Sequence, residues 1–291
     1  MQTVLVTGSE GFIGRQTVRH MKQLGFKVFT TDLKESSYSQ NHRVADLSDV
    51  NCWAGFQDLS PDLIIHLGAQ VDVRDSFLNP MNDLMVNALG TLKLLEYGIS
   101  KGVKNFIYIN SGGAIYGAGQ ELPTQESQND FPISPYGATK LLAESYVRIL
   151  CSRFNVKWTS LALSNCYGPV DEHGKGVIYE FSKAIGSGET AIINGKDVTR
   201  DFIYVGDVLR AIEMAVKKPV NSRVNISSNS ETSLGELYSQ ICRLKNVPEN
   251  CLFRDPAPGE VLRSRLDNSL ARKLLSWEPI TSIEEGLKLS I

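Results

Sequence analysis

VLVTGSEGFIGR, residues 4–15, is the stretch on which the fold turns. A short apolar run that reads as a buried strand stops at Thr7, and Gly8, Gly11 and Gly14 follow at the mouth of an amphipathic stretch. Glycines at these places permit a tight turn and let the main chain approach a pyrophosphate, whose charge meets the free N–H groups and the positive end of the helix. Asp32 closes the next apolar run, where a carboxylate accepts both ribose hydroxyls of an adenosine and repels a 2′-phosphate, although Lys34 beside it carries the opposite charge. Strand, glycine triplet and acid together point to a dinucleotide. A bare strand–turn–helix corner is the alternative.

Outward from this turn, short β-branched runs alternate with helical patterns, as βαβ units of a parallel sheet do. The spacing predicts strands over Thr3–Thr7, Lys27–Asp32, Leu63–Leu67, Asn105–Asn110 and Lys157–Leu163. Helices are expected near Gly11–Leu24, Asp49–Phe56, Met81–Lys101 and Pro135–Phe154. Near-continuous runs such as LIIHL and FIYI suit strands buried on both faces. The expected fold is α/β, a doubly wound parallel sheet of Rossmann type. After Gly168-Pro169 the texture changes to loops rich in Gly, Asp and Asn, helices near Val177–Ser187 and Asp207–Lys217, and segments bounded by Pro248, Pro256 and Pro258. Residues 1–168 are read as the nucleotide-binding domain, with a segment about 196–228 returning to it, and 169–291 mostly as a smaller α/β substrate-binding cap.

Composition narrows the classes of partner. The 291 residues are 42% hydrophobic and 21% charged, which favours a packed core over disorder. Lys and Arg number 30 against 32 Asp and Glu, and no basic block stands out, so neither nucleic acid nor an anionic membrane surface is indicated. No run has the length of a membrane span, and Met1 leads straight into a strand, which reads as cytoplasmic. Five scattered cysteines without a CxxC pair, and four histidines without HxH or HxxxH spacing, give no reason to expect a disulfide framework or a metal.

Tyr136 and Lys140 in SPYGATK lie at i and i+4, on one face of a helix. A phenol with a pKa near 10 is a poor base at neutral pH, and an adjacent ammonium would stabilise its anion. Taken alone, a pair at this spacing is usually a solvated helix face, and the dinucleotide cradle upstream is what favours the functional reading. Ser111, at the carboxyl end of the fourth expected strand in INSGGAIYG, would face the crevice where open α/β sheets bind ligands, and Gly112-Gly113 leave room for a bulky one. Asp46-Leu47 lies on a loop where it could face an adenine or cap a helix.

TGSEGFIG, HLGAQ, VNALGTLKLLE, SGGAIYG, SPYGATK, SNCYGP, RDFIYVGDV and LDNSLARKLLSWEP occur in this order from residue 3 to about residue 285. Together they resemble the extended short-chain dehydrogenase/reductases and, within these, the NAD-dependent sugar-nucleotide epimerase/dehydratase group. GAQVDVRDS and SGGAIYG are most similar to the UDP-glucose 4-epimerases. The resemblance implies a tightly held NAD cradled by Gly8, Gly11, Phe12, Ile13, Gly14, Asp32, Asp46, Leu47, Leu67, Ala69 and Asn87. It also implies Tyr136 as acid/base, Lys140 as its partner and ribose anchor, and a hydroxyl near Ser111 on the sugar 4-OH. Asn165, Arg200 and Arg263 are implied as the grip on the diphosphate of a UDP-sugar, and a homodimer through the helices near Met81–Lys101 and Pro135–Phe154. Two departures stand out. Counting back from Tyr116-Gly117, the family's hydroxyl position falls on Gly112, and Ala162-Leu163-Ser164 replaces the Arg-Tyr-Phe of many relatives.

The reaction expected from this set starts with loss of the 4-OH proton and of the C4 hydride, giving a 4-keto sugar. Dehydratases of the group carry acids after the active hydroxyl, whereas this chain has Gly112-Gly113-Ala114. Return of the hydride to the other face, a 4-epimerisation, is then the simplest outcome. A 4-ketoreductase of nucleotide-activated deoxysugars and a non-catalytic NAD-binding scaffold are the alternatives.

Overall fold

The computed structural model describes residues 1–118, 120–169, 176–256 and 261–291. His173, Pro258 and the Gly259-Glu260 that precede Arg263 lie outside the described residues. The first half runs β1 (Thr3–Thr7), α1 (Phe12–Gln23), β2 (Lys27–Asp32), β3 (His42–Val44), β4 (Leu63–His66), α2 (Val73–Leu78), α3 (Pro80–Asp83), α4 (Gly90–Ser100), β5 (Asn105–Ser111), α5 (Gly112–Ile115), α6 (Pro135–Arg153) and β6 (Lys157–Leu163). The second half runs β7 (Asn165–Tyr167), α7 (Val177–Ser187), β8 (Ala191–Asn194), β9 (Thr199–Arg200), β10 (Phe202–Tyr204), α8 (Val205–Lys217), β11 (Ser222–Ile226), β12 (Thr232–Ser233), α9 (Leu234–Lys245), β13 (Cys251–Arg254), α10 (Ser269–Leu275) and α11 (Ile283–Ser290).

Seven strands form one parallel sheet in the order β11-β6-β5-β4-β1-β2-β3. Strand alternation sends Val4 and Val6 to one face with Val28, Ile65, Ile107, Val208 and Ile212, while Leu5 goes to the other with Ile64, Phe106, Leu94 and Val147. At roughly 1.5–3 kcal/mol for each large aliphatic side chain removed from water, these two cores fix the sheet between its helix layers. A third core, with Phe181, Ile193, Phe202, Leu237 and Tyr238, lies among α7, α9 and three two-stranded pairings, and forms the smaller C-terminal α/β cap. The strand order reverses between β1 and β4, so their carboxyl ends open a crevice.

The structure departs from sequence expectation in three places. The expected helix over Met81–Lys101 is broken: α3 ends at Asp83, a π-helical turn spans Leu84–Leu89, and α4 begins at Gly90. Near Asp49–Phe56 the chain makes a 3-10 helix over Cys52–Phe56. Two strands of the sheet were not expected. β3 is only His-Arg-Val, and β11 is an edge strand whose polar residues interrupt the apolar run.

Candidate active site

The carboxyl ends of β1, β2, β4, β5 and β6 surround a cavity of about 720 Å³. Gly8 has φ +66°, open to glycine at little cost, and a Cβ at Gly14 would lie 1.9 Å from the Gly8 carbonyl oxygen. The turn therefore closes tightly only with these residues, leaving a bare main-chain wall at the start of α1. Asp32 ends β2 on the same cavity, its Oδ2 accepting from Glu10 N at 2.9 Å. A cradle that side chains would fill, next to an acid at a strand end, fits a dinucleotide. Phe12, Ile13, Asp46, Leu47, Leu67 and Ala69 also line the cavity. Asp46 Oδ1 is engaged by Ser48 N at 2.8 Å and Ser48 Oγ at 2.7 Å, a local turn bond rather than the helix cap weighed as its alternative role.

Across the cavity stand Ser111, Tyr136 and Lys140. The sequence starts α6 where it does because Ser134 Oγ accepts from Gly137 N at 3.1 Å, Pro135 takes the first helical position, and Ser76 Oγ of α2 accepts Tyr136 N at 3.2 Å. Burial pushes the Tyr136 phenol up to about 12, and a hydrogen bond from Ser111 pulls it part of the way back. Lys140 behaves differently from the sequence expectation. Its Nζ donates to Ile109 O at 2.7 Å and lies 4.3 Å from the Tyr108 ring centroid, so Ser111 is the group that lowers the phenol here. Burial brings the Lys140 ammonium down to about 7, against the opposing charges of Glu144 and Asp83.

A Cβ on buried Gly112 would meet Leu266 Cδ1 at 2.4 Å, whereas Ser111 already faces the phenol. Leu266 comes from the loop before α10, which also forms a bridge with Thr124.

Buried polar groups that sequence reasoning missed hold this arrangement. Asp83, fully buried, accepts from Gln70 Nε2 at 2.9 Å and Asn87 Nδ2 at 3.1 Å, and hydrogen-bonds Thr139, which sits between Tyr136 and Lys140 on α6. Asn87 is not part of the cavity lining. Its amide brackets Gln70, donating to the carbonyl oxygen at 3.0 Å and accepting the N–H at 2.9 Å, and so fixes the loop after β4. The π turn places that amide. Behind Ser111, Asn110 accepts Ser111 N at 2.8 Å and donates to Glu144 at 2.6 Å, and Glu144 in turn pairs with Arg223 of β11. His66 bridges Thr7 at 2.6 Å and Thr91 at 2.8 Å, its ring brought down to about 3 by burial. The only trace of Asp83 in the sequence is its i, i+4 spacing to Asn87 within an apolar segment.

The three residues expected at a substrate diphosphate stand apart from this cavity. Asn165 is exposed on β7, with its main-chain N donating to Asp201 O at 2.8 Å. Arg200 donates to the carbonyl oxygens of Thr199 and Val261, each at 2.8 Å. Arg263 is exposed and forms a two-pronged pair with Glu231, at 3.0 and 2.6 Å. None of the three lines the described cavity. Asp201 between these segments is buried and collects donors from Ser164, Ser228, Asn229 and Leu266, tying the cap to the carboxyl end of the sheet.

Comparison with known proteins adds the following. Residues 4–227 match the model of the NAD dependent epimerase/dehydratase family. A UDP-glucose 4-epimerase of Mycolicibacterium smegmatis is 34% identical over 99% of this chain and 96% of its own length. The crystal structure of a UDP-glucose 4-epimerase with UDP-glucose from Thermotoga maritima superposes with a TM-score of 0.94 at 35% identity, covering 99% of this chain and 97% of that one. The UDP-glucose 4-epimerase of Thermus thermophilus in complex with NAD gives a TM-score of 0.92 at 30% identity, with coverage of 99% and 97%.

Proposed function

The chain belongs to the NAD-dependent epimerase/dehydratase family, and we propose that it catalyses 4-epimerisation of a UDP-hexose, of the UDP-glucose/UDP-galactose type, through a transient 4-keto sugar. One observation carries this reading: Ser111, Tyr136 and Lys140 share a cavity with the glycine turn and Asp32, while Gly112-Gly113-Ala114 supplies no acid for eliminating water. NAD, held at Gly8, Gly11, Gly14 and Asp32, supplies when bound a hydride acceptor for C4. Tyr136 takes the 4-OH proton and later returns it, and Ser111 orients that hydroxyl. Lys140 anchors the ribose side with a charge that Asp83 and Glu144 help to retain. Asn165, Arg200 and Arg263 hold the diphosphate, which requires Arg263 to exchange its Glu231 partner for phosphate oxygens. Binding energy placed on the nucleotide leaves the hexose free to turn.

The test is turnover of UDP-galactose by purified protein without added cofactor, with NAD released on denaturation measured by absorbance. Stoichiometric release and turnover support the epimerase. A requirement for added NADPH would transfer the assignment to a ketoreductase, and bound NAD without turnover of any UDP-sugar would leave a scaffold.

The protein acts as a homodimer in this reading. Leu142, Tyr146 and Ile149 make an exposed i, i+4, i+7 apolar stripe on α6, and Phe77, Leu78 and Met81 are exposed on α2 and α3, which pack against α6. Sedimentation equilibrium of Ile149→Asp against wild type reads this directly. A cytoplasmic site of action is supported by five free cysteines. Among the described residues no helix is long and apolar enough to cross a membrane.

A further inference from the structure

The one acid of the glycine turn has no role in the scheme so far. Glu10 lies between Gly8 and Gly11, with its side chain 4% exposed, and lines the same cavity as Asp32 and Lys34. One carboxylate oxygen, Oε2, pairs with Arg15 at 2.8 Å, and Arg15 Nε also donates to the Glu10 carbonyl oxygen at 3.3 Å. The Arg15 guanidinium is covered by the Tyr38 ring at 5.2 Å, and Tyr38 is fixed in turn by donating to Ser9 O at 2.5 Å. The other oxygen, Oε1, is buried with no hydrogen-bond partner among the described residues. That oxygen is shut off from the cavity and the Tyr38 hydroxyl neighbours the same carboxylate, so what Glu10 brings to this end of the cavity is its negative charge.

We propose that Glu10 is a second selectivity residue for the adenosine ribose, acting beside Asp32 to admit a free 2′-hydroxyl and exclude a 2′-phosphate. The proposal rests on the NAD reading above and deepens it. Glu10 N binds Asp32 Oδ2 at 2.9 Å, so the turn and the strand end are coupled and the two acids share one end of the cavity. Both are acceptors only. A ribose hydroxyl brings a proton to such a pair, whereas a phosphate monoester brings acceptors and negative charge. Glu10 also engages the Arg15 guanidinium, a group well suited to binding phosphate. Without Glu10, Arg15 and Lys34 would tilt the balance at this end of the cavity toward the phosphorylated ribose. Asp32 is then only half of the device.

The experiment titrates the full-length protein, freed of copurified nucleotide, with 5′-AMP, 2′,5′-ADP, NAD and NADP in a calorimeter, so that it reads binding rather than turnover. Glu10→Gln keeps the shape, removes the charge and releases Arg15. It is expected to improve 2′,5′-ADP and NADP binding by about tenfold while changing NAD by less than about threefold. Arg15→Met provides the independent arm. It leaves Glu10 in place with its charge uncompensated, and discrimination against NADP should increase. Thermal melting checks that both variants fold. An NADP-to-NAD affinity ratio that stays within about twofold of wild type in Glu10→Gln, while Asp32→Asn moves it, would reduce the Glu10–Arg15 pair to a structural link and overturn the proposal. So would an Arg15→Met variant that relaxes selectivity. Loss of NAD and NADP binding in the same proportion would overturn it also. Wild-type protein that binds none of the four nucleotides would overturn the cofactor reading together with this one.

Discussion

Lys140 donates to the carbonyl oxygen of Ile109 at 2.7 Å, across from α6 to the last turn of the sheet before Ser111. That bond pins the ammonium in a desolvated place. Its pKa falls from 10.5 to about 7, so between those values the unfolded chain holds a proton that the folded one has released. In that window stability rises with pH, and below about 7 the full cost of the buried ammonium is present. Lys140→Met should therefore melt higher relative to wild type near pH 6 than near pH 9.5, the difference shrinking as pH climbs. A melting difference that stays flat over that range would mean that the ammonium is not desolvated.

Tyr136→Phe removes a hydroxyl and little else, because the ring sits in a buried site held through its main-chain N by Ser76. Turnover should fall by roughly 10²–10⁴ while NAD remains bound, since proton transfer is the step lost. Ser111→Ala should reduce turnover less and move the limb of the pH–rate profile on which activity rises with pH to higher pH, because the hydrogen bond that lowers the phenol disappears. An unchanged limb in Ser111→Ala would separate the two hydroxyls.

Asp83→Ala would leave donors from Gln70, Asn87 and Thr139 facing a void. A loss of about 3 kcal/mol in urea unfolding is expected, with Asp83→Asn recovering part of it. The network joins the loop after β4 to the helix of Tyr136, so turnover should drop with it. A loss under about 0.5 kcal/mol would show that the network does not hold the loop and helix together.

Gly14→Ala and Gly186→Ala should move in opposite directions. At Gly14 the new methyl meets the Gly8 carbonyl oxygen at 1.9 Å, so the turn must open and NAD affinity must suffer. At Gly186, within α7, nothing lies within 4 Å, and a gain of about 0.5 kcal/mol from helix propensity is expected. Paired chemical denaturation curves give both signs, and a Gly14→Ala protein with native NAD affinity would mean that the turn tolerates side chains.

The parts of this molecule legible in its sequence are those written locally. β1, β2 and β6 begin and end at the residues expected, because an apolar run and its flanking turn lie together in the chain. Tyr136 and Lys140 were visible as an i, i+4 pair and Ser111 as a strand-end hydroxyl, yet the Ile109 carbonyl that holds Lys140 comes from β5 and no spacing announces that bond. Asp83, Glu144 and Asp201 read as ordinary polar positions, and their burial follows only from how distant segments pack around them. The π turn over Leu84–Leu89 was hidden for a related reason: its apolar pattern suits an ordinary helix, and the widening coincides with the Asn87 bonds to Gln70. Glu231, far away in sequence, pairs with Arg263, and no spacing around either residue announces that partner.

The path of the chain has a practical corollary. After leaving the sheet at β6 it builds part of the cap through β7 to β9, then comes back to lay α8 on one face and β11 along the edge of β6. A protease that nicked the backbone once, anywhere between those visits, would not liberate a self-sufficient nucleotide-binding fragment. The amino-terminal piece would carry a raw strand edge and lose Val208, Ala211, Ile212 and Val224 from its interior. Anyone wishing to split this protein for complementation or labelling should expect the two pieces to need each other from the start.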